Sequence, residues 1–333
     1  MKKLHATSQT ILSVLRQSGG DISGEDLCRD LKISRAAVWK HIQSLRELGY
    51  AIGSATHRGY RLTAAPNLPL PWEIEGHLET ARLGREIEYC AVAESTNPLA
   101  IEAAKNQAAE GFCVVADQQK QGRGRLRRPW FSPPSRNLYL SVVLRPPIAP
   151  LALPQISLIA ALALARACKD WLPESADIRV KWPNDVFVNQ GKVAGILCES
   201  ASETDRVHYA VVGIGVNLNL KTEDLPGEIA DTATSLQIVG GSEVDRPRFA
   251  ANLLNHLEPM YFAWCRDGLA DFLPELEEMS LMRDRQVDVE TVSGRRSGIA
   301  VGITEDGGLR LRNPQNDHEE VVYCGDISLT PVD

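Results

Sequence analysis

Residues 177–200, "DIRVKWPNDVFVNQGKVAGILCES", form the stretch that decides the fold. Residues 177–185 predict a strand that ends in a turn fixed by Pro183. Residues 186–200 predict a hairpin whose turn is Asn189-Gln190-Gly191. A strand followed at once by a hairpin indicates a sheet in which neighbouring strands are also neighbours in sequence.

The segments on either side of this stretch extend the same sheet. Further strands are predicted at residues 85–96, 112–119, 137–146 and 206–220, and helices at residues 98–106 and 153–172. The second helix is almost wholly apolar, so we expect it to be buried against the sheet. The sequence therefore predicts an α+β multidomain protein whose central domain, residues 72–280, is a mixed β-sheet with helices.

Composition limits the class of protein. The chain has 333 residues, of which 44% are hydrophobic and 24% charged, as expected for a globular protein of two or three domains. No apolar run reaches the roughly 18 residues that span a bilayer, and residues 1–10 lack the apolar core of a secretory signal. The seven cysteines are scattered without a CxxC pair. This argues against a disulfide frame or a zinc site, and we expect a reducing, cytoplasmic location with no membrane partner.

Charge is unevenly distributed along the chain. Residues 1–65 carry ten Lys and Arg against five Asp and Glu, a net charge of +5, whereas the whole chain has a net charge of −7. Residues 1–65, called the head, are therefore basic, and the rest of the chain, called the body, is acidic. This indicates that only the head faces a polyanion.

The head, residues 1–65, predicts three short helices and a β-hairpin, which is the pattern of a winged helix-turn-helix. Its recognition helix is residues 35–47, and its wing is about residues 52–62. The residues that we expect to contact DNA are Ser34, Arg35, Ala36, Lys40, His41 and Arg58. The alternative is a trihelical packing or dimerisation module with a solvated basic face. A proline-rich linker, residues 64–71, ends this domain.

A second basic element, "QQKQGRGRLRRPW" at residues 118–130, lies in the acidic body. Three interpretations compete: a nucleic-acid contact, a solvated loop, and a clamp that closes on a small phosphate or carboxylate. The clamp explains most features, because glycines allow closure while Arg123 and Arg125 supply planar donor groups.

Other polar residues lie where strands end. Ser95, Thr96 and Asn97 fall at a strand-to-helix junction, where they either cap the helix or hold a ligand. Lys181 and Lys192 adjoin apolar strand residues, which is unusual unless an anion is near. Glycines 195, 213 and 215 allow a ligand to approach the backbone. "GIGVNL", residues 213–218, lacks the third glycine of a dinucleotide fingerprint, and no GxxxxGK[ST] loop occurs.

Together these motifs resemble those of the biotin–protein ligases. They are "STN" (95–97), "QxxGRGR" (119–125) followed by Trp130, "SPPSRNLYLS" (132–141), "KWPND" (181–185), "GKVAGIL" (191–197) and "GIGVNLN" (213–219). The head resembles that of the bifunctional bacterial type, which is also the biotin operon repressor. The resemblance implies a class II synthetase-like ligase domain and, at residues 284–333, an SH3-like β-barrel.

The resemblance implies a two-step reaction. Biotin and MgATP give biotinyl-5′-adenylate, and the biotinyl group then passes to a lysine of a biotin carboxyl carrier protein. The residues that it assigns to biotin or adenylate binding are Ser95, Thr96, Asn97, Gln119, Gly122, Arg123, Gly124, Arg125, Trp130, Lys192, Gly195, Gly213, Gly215 and Asn217. Those that it assigns to catalysis are Lys192, Arg123, Arg125, Lys181 and Asp185, and it assigns none to a metal. It further implies a homodimer that forms on ligand binding and binds operator DNA.

The chain departs from the family pattern in the basic loop. Leu126 to Pro129 replace a stretch that often contains glycine, and Ser135 stands where glycine is usual, so loop closure should be stiffer. The adenine-side loop, expected within residues 221–241, has diverged too far for residue-by-residue transfer. Two alternatives stay open: a lipoate-type ligase, and a ligand-sensing repressor without ligase activity.

Overall fold

The computed structural model describes residues 5–55 and 59–329, and the chain divides into two compact units, Met1–Asn67 and Leu68–Asp333. Residues 284–333, predicted as a separate domain, fall in the same unit as the central sheet.

The first unit has the helices and hairpin that the sequence predicts. Its elements are α1 (Ala6–Ser18), α2 (Gly24–Leu31), α3 (Arg35–Glu47), β1 (Ala51–Ala55) and β2 (Gly59–Ala64). Ser34 caps α3, because its side chain accepts a hydrogen bond from the backbone N–H of Ala37. Val38 and Ile42, one turn apart on α3, are fully buried, which fixes the opposite side of this helix as the outer face.

The second unit is built on a mixed sheet with the order β3-β4-β5-β9-β8-β7-β6. Strands β3 and β4 run parallel, and the other neighbours are antiparallel. The predicted hairpin is present, with β7 and β8 joined at Asn189 and Gln190. The strands are β3 (Ile87–Ala93), β4 (Cys113–Gln119), β5 (Leu138–Leu144), β6 (Ile178–Lys181), β7 (Asp185–Val188), β8 (Gly191–Ser202) and β9 (Val207–Val216).

Helices cover both faces of this sheet, because its central strands carry apolar residues on both faces. All seven residues of β5, for example, are buried. One face carries the larger core, in which α6 and α8 pack together, and the other carries a smaller core formed with α5. The helices are α4 (Pro71–Glu75), α5 (Thr96–Lys105), α6 (Leu153–Lys169), α7 (Leu236–Gly240), α8 (Arg246–Asp267) and α9 (Leu273–Glu278). Residues 150–169 are apolar and long enough to cross a membrane by length and composition alone, but 67% of the tested window is buried.

The chain ends in a second sheet with the order β13-β12-β11-β10-β14. Its strands are β10 (Gln286–Thr291), β11 (Gly294–Ile303), β12 (Leu309–Arg312), β13 (Glu319–Val322) and β14 (Asp326–Leu329). In residues 59–329 no ladder joins β13 to β14, so a closed SH3-like barrel remains a prediction. The indole N–H of buried Trp182 donates to the carbonyl of Gly307 at 2.9 Å, which ties this sheet to the "KWPND" turn.

A buried ion pair joins α8 to the central sheet. Arg246, the first residue of α8, is 1% exposed and donates to Asp117 Oδ1 at 2.8 Å and to the Asn137 carbonyl at 3.2 Å. Asp117 also accepts from the backbone N–H of Ser135 at 3.1 Å. The pair therefore fixes β4 and the "SPPSRN" turn to one helix end, and losing either partner would leave a buried charge unpaired.

Arg246→Ala should lower the free energy of unfolding by about 3–5 kcal/mol, because Asp117 would remain buried without its partner. Arg248→Ala is the matched control, since Arg248 is exposed on the same helix and only overlies the Trp171 ring. We expect the control to cost less than about 1 kcal/mol in urea unfolding. Equal losses for the two variants would contradict this account of the pair.

Candidate functional site

Neutral polar groups meet where β3 passes into α5. The backbone N–H and hydroxyl of Thr96 lie 2.9 and 3.2 Å from Gln119 Oε1. The hydroxyl of Ser141 lies 2.7 Å from Thr96 Oγ1 and 2.6 Å from Asn97 Oδ1. Ser95 precedes α5 and is 9% exposed, yet its side chain makes no capping hydrogen bond. The capping interpretation is therefore wrong for Ser95, and the network joins Thr96, Asn97 and Gln119 to one another, while the ligand interpretation stays a prediction.

Both ends of the Asn97 side-chain amide form hydrogen bonds with other residues. Its Nδ2 donates to Glu199 Oε2 at 2.8 Å and to the Leu197 carbonyl at 3.3 Å. Gly213 lies directly beneath it, where a Cβ atom would be 2.1 Å from Asn97 Oδ1. Gly213 therefore admits the Asn97 side chain against β9, a role that the glycine pattern alone did not reveal.

The basic loop folds back on itself. The N–H of Trp130 donates to the Gly122 carbonyl at 2.8 Å, and the N–H of Gly124 donates to the Arg128 carbonyl at 2.8 Å. A side chain at Gly122 would meet Ser132 Oγ at 2.4 Å, so this position also needs glycine. These contacts close residues 122–130 into a narrow turn.

Three non-glycine residues here adopt the left-handed backbone region. Leu126, Arg127 and Ser135 have φ angles of 54°, 58° and 60°. Glycine adopts this region at least cost, and these are the stretch and the position at which the family pattern often has glycine. The sequence departures therefore coincide with the positions where the backbone is strained.

Trp130 lies over the glycines of β8 and β9. A Cβ atom at Gly215 would be 2.6 Å from Trp130 Nε1, and one at Gly195 would be 3.3 Å from its Cζ3. The Nε1 atom is buried and has no hydrogen-bond partner within the described ranges. An orphaned buried N–H marks a site where a ligand or water completes the bonding.

Four cations of the loop and the neighbouring strand have polar partners within the chain. Lys192 Nζ lies 2.7 Å from Asp185 Oδ2 and 5.5 Å from the Trp130 ring centroid. Arg123 lies 3.6 Å from a Glu199 carboxylate oxygen, and Arg125 donates to Asn184 Oδ1 at 3.4 Å. Arg128 pairs with Asp326 at the start of β14. The loop is thus connected to the central sheet and to the C-terminal sheet.

Lys181 lies at the edge of the same cluster. Burial lowers the pKa of its ammonium below the usual value, and the charges of Asp185 and Asp326 partly offset that shift. Its Nζ lies 5.9 Å from the Phe187 ring centroid. A lysine with a lowered pKa loses its proton more readily than an exposed one.

Asn217 bonds to neighbouring protein segments, and its expected contact with the ligand stays a prediction. It is 5% exposed, its Nδ2 donates to the Thr234 carbonyl at 3.1 Å, and its Oδ1 accepts from Asn137 at 3.3 Å. Both ends of this amide are bonded to protein. The geometry therefore assigns Asn217 to holding the segment around residue 234 against β9.

In the first unit, the expected DNA contacts divide into two groups. Ser34, Arg35, Ala36 and Lys40 are exposed on α3. His41 instead lies against α1, with Nδ1 2.8 Å from Ser8 Oγ, and burial lowers the pKa of its imidazole. One ring nitrogen of His41 is thus engaged with α1, and its contact with DNA stays a prediction. Arg58 lies outside the described residues.

The structure adds residues that the motifs did not single out. Ser141, Asn184, Glu199 and Asp326 contact the predicted site residues directly. Ser141 carried a signal, since it is the polar member of an apolar strand, "LYLSVVL". No signal in the sequence indicated that Asp326 belongs to the site, because its partner Arg128 is 198 residues away in sequence.

Both units of the chain are similar to known proteins. Residues 89–217 match the biotin/lipoate A/B protein ligase family, and residues 7–61 match an HTH domain. The chain is 36% identical over 320 residues to the bifunctional ligase/repressor BirA of Bacillus subtilis (strain 168), covering 96% of this chain and 97% of that one. It is 32% identical over 300 residues to BirA of Escherichia coli (strain K12), covering 90% and 91%. A biotin protein ligase from Aquifex aeolicus, solved in complex with biotin and ATP, superposes with a TM-score of 0.63 at 27% identity, covering 74% of this chain and 100% of that chain.

Gly213→Ala should lower the free energy of unfolding by about 1–3 kcal/mol, because the added methyl would overlap Asn97 in a packed region. Gly227→Ala is the control, since nothing lies within 4 Å of a Cβ atom there and its φ is not positive. We expect the control to change stability by less than about 1 kcal/mol in calorimetry. An unaffected Gly213→Ala variant would remove the proposed close packing.

Arg128→Ala should raise amide hydrogen exchange across residues 122–130 by about two- to fivefold, the range expected for one partly exposed ion pair. Arg127→Ala is the matched control, because Arg127 is exposed and makes no ion pair in the described part of the chain. Mass spectrometry of loop peptides measures both variants. An equal rise in both would show that Asp326 does not anchor the loop.

Proposed function

The chain belongs to the biotin/lipoate A/B protein ligase family, and we propose that it both biotinylates a carrier protein and represses transcription. Biotin and ATP give biotinyl-5′-adenylate and pyrophosphate, and the biotinyl group then passes to one lysine of a biotin carboxyl carrier protein. The observation that carries this proposal is the convergence of the "GRGR" loop, Trp130 and Lys192 over the glycines of β8 and β9.

The first step joins two anions. A biotin carboxylate oxygen attacks the α-phosphorus of ATP, and the bond from that phosphorus to the pyrophosphate oxygen breaks. Negative charge on the phosphoryl oxygens requires cations placed beforehand. We assign this role to Lys192, Arg123 and Arg125, whose present partners are Asp185, Glu199 and Asn184. A bound phosphate would replace these internal partners.

The second step transfers the acyl group. The ε-amine of the carrier lysine attacks the carbonyl carbon of the mixed anhydride, AMP leaves, and the new amide nitrogen loses a proton. Asp185, released when Lys192 turns to the phosphate, is placed to accept that proton or to orient the incoming amine. We assign Lys181, with its lowered pKa, to the same region. A closed loop excludes water from the anhydride.

Biotin itself is neutral apart from its carboxylate, so its ring needs neutral donors and acceptors. We assign the ring end to the network of Ser95, Thr96, Asn97, Gln119 and Ser141. Trp130 offers an unpaired indole N–H and a flat surface near Lys192, which suits the adenylate end.

Magnesium fits this site only as the companion of ATP. No group of three or more His, Cys, Asp or Glu side chains in residues 5–55 and 59–329 is placed to hold a metal ion. Mg²⁺ commonly binds substrate phosphates with one or two carboxylates, and Asp185 and Glu199 are the acidic side chains beside the site cations. Bound in this way, the ion would supply further neutralisation of phosphate charge.

Repression requires a link between the site and dimerisation. Strand β7 pairs with β8 only as far as Gly195, whereas β8 continues to Ser202 along β9. No strand among the described residues covers the other edge of Cys198–Ser202. An open edge is a template for a second copy, and Arg123 reaches Glu199 within it. We propose that the adenylate favours a homodimer through this edge, and that the dimer places two recognition helices on operator DNA.

Biotin-dependent exchange of labelled pyrophosphate into ATP tests the ligase proposal. Wild type should exchange with biotin and not with lipoate. Lys192→Ala should lower the rate about 10²- to 10³-fold, as removal of one transition-state donor does, whereas exposed Lys169→Ala should match wild type. Exchange with lipoate alone would favour the lipoate-type ligase, and no exchange with any acid would favour the ligand-sensing repressor.

Footprinting on the upstream DNA of biotin synthesis genes tests the repressor proposal. Binding should be weak without ligand and should strengthen by about 5- to 150-fold with biotin and ATP, the usual range for coupled sites. Sedimentation under the same conditions should show the dimer. Equal DNA affinity in both states would remove the corepressor mechanism while leaving the ligase proposal intact.

A further inference from the structure

The outer face of α3 presents a large apolar side chain. Trp39 is 58% exposed, and it is the one exposed large hydrophobic residue within the described part of the first unit. Its neighbours Val38 and Ile42 are buried, so the helix orientation places Trp39 outside the core. A single exposed hydrophobic residue needs no partner in itself, but this one lies on the outer face of the helix that we expect to enter DNA, beside exposed Lys40.

The side chains around Trp39 define a stripe along α3. Ala36 and Lys40 are exposed beside it, and Gln43 follows one turn later. With the Gln43 amide oriented to satisfy its neighbours, Trp39 Nε1 donates to Gln43 Oε1 at 3.2 Å. Because the indole has no other polar atom, the rest of its exposed surface is carbon. The ring therefore presents an apolar surface on the outer face of α3.

The cations expected to read DNA on this helix are largely engaged elsewhere. Arg35 pairs with Glu25, and Arg46 donates twice to the Ile52 carbonyl, at 3.0 and 2.6 Å. His41 faces α1. Lys40 retains no ion pair in the described ranges and supplies charge, but a point charge on phosphate carries no sequence information. The apolar ring of Trp39 offers α3 a kind of contact with the bases that these charged groups do not supply.

We propose that Trp39 reads thymine by packing its ring against the 5-methyl group in the major groove. This inference rests on the proposed DNA binding of the first unit and names a specificity-determining residue within it. The net charge of +5 on residues 1–65 favours DNA over a protein partner as the occupant of this face. Only thymine offers an apolar group in the major groove, and small Ala36 lets the helix approach the base edges closely enough to reach it.

A thymine-to-uracil scan tests the inference, because uracil differs only by the missing methyl. Duplexes are first selected from a random DNA library with the full chain, biotin and ATP. Each thymine of the selected duplex is then replaced singly by uracil, and affinities are measured for wild type, Trp39→Ala, Trp39→Phe and Lys40→Ala. Limited proteolysis of the full chain, with cleavage followed by mass spectrometry within residues 5–55, serves as the folding control for the first unit of every variant.

Wild type should lose about fourfold in affinity at one or two thymines per half-site, the effect of burying one methyl group. Trp39→Ala should bind the unmodified duplex more weakly and lose this uracil sensitivity, whereas Trp39→Phe should keep part of it. Lys40→Ala should weaken binding to all duplexes alike, lower the salt dependence and keep the uracil pattern.

Identical uracil patterns for wild type and Trp39→Ala would overturn the proposal. So would a Trp39→Ala variant that binds DNA as wild type does but shows weakened association with a second copy or with the carrier, because Trp39 would then belong to a protein interface. Failure of wild type to select any duplex would instead contradict the proposed DNA binding, which separates the two claims.

Discussion

The cations of the site are held by polar groups of the same chain, and that constraint organises the rest of the structure. Lys192 forms an ion pair with Asp185, Arg123 with Glu199 and Arg128 with Asp326. An anionic ligand must replace a carboxylate to reach a cation. Partly exposed pairs contribute little stability, so such an exchange costs little free energy while keeping the cations in position before the ligand arrives. The same pairs connect the loop to β8 and to β14, so a change at the ligand reaches two separate parts of the unit.

The second constraint is the close approach of side chains to β8 and β9. Gly213 admits Asn97, while Gly195 and Gly215 admit Trp130. The glycines thus leave room for the side chains that would contact the ligand. They also leave backbone atoms exposed. Trp130 retains an unpaired buried N–H, and the loop contains left-handed, non-glycine residues. Both features are consistent with the proposed role of this loop, because strained backbone and unsatisfied polar groups are concentrated at functional sites.

Much of this architecture could be predicted from local sequence. The boundaries of α3, the β7–β8 hairpin and the burial of α6 follow from capping, turn residues and apolar periodicity, each of which acts within a few residues. Among the residues that the motifs named, Thr96, Asn97 and Gln119 lie in one hydrogen-bond network, and Lys192 lies near Trp130. What escaped prediction depends on distant contacts. Glu199 and Asp326 pair with loop arginines far away in sequence, and His41 turns inward because α1 supplies Ser8. The role of Gly213 depends on a side chain more than one hundred residues earlier.

The central claim is that one site activates biotin and delivers it to a protein lysine. The most direct measurement is transfer of isotopically labelled biotin to a purified biotin carboxyl carrier domain, followed by peptide mass spectrometry. We expect ATP-dependent label on a single carrier lysine, and we expect it to survive denaturation, as an amide does. Absence of label with folded enzyme and carrier would contradict the claim, and so would label that appears without ATP or that lipoate supplies equally well.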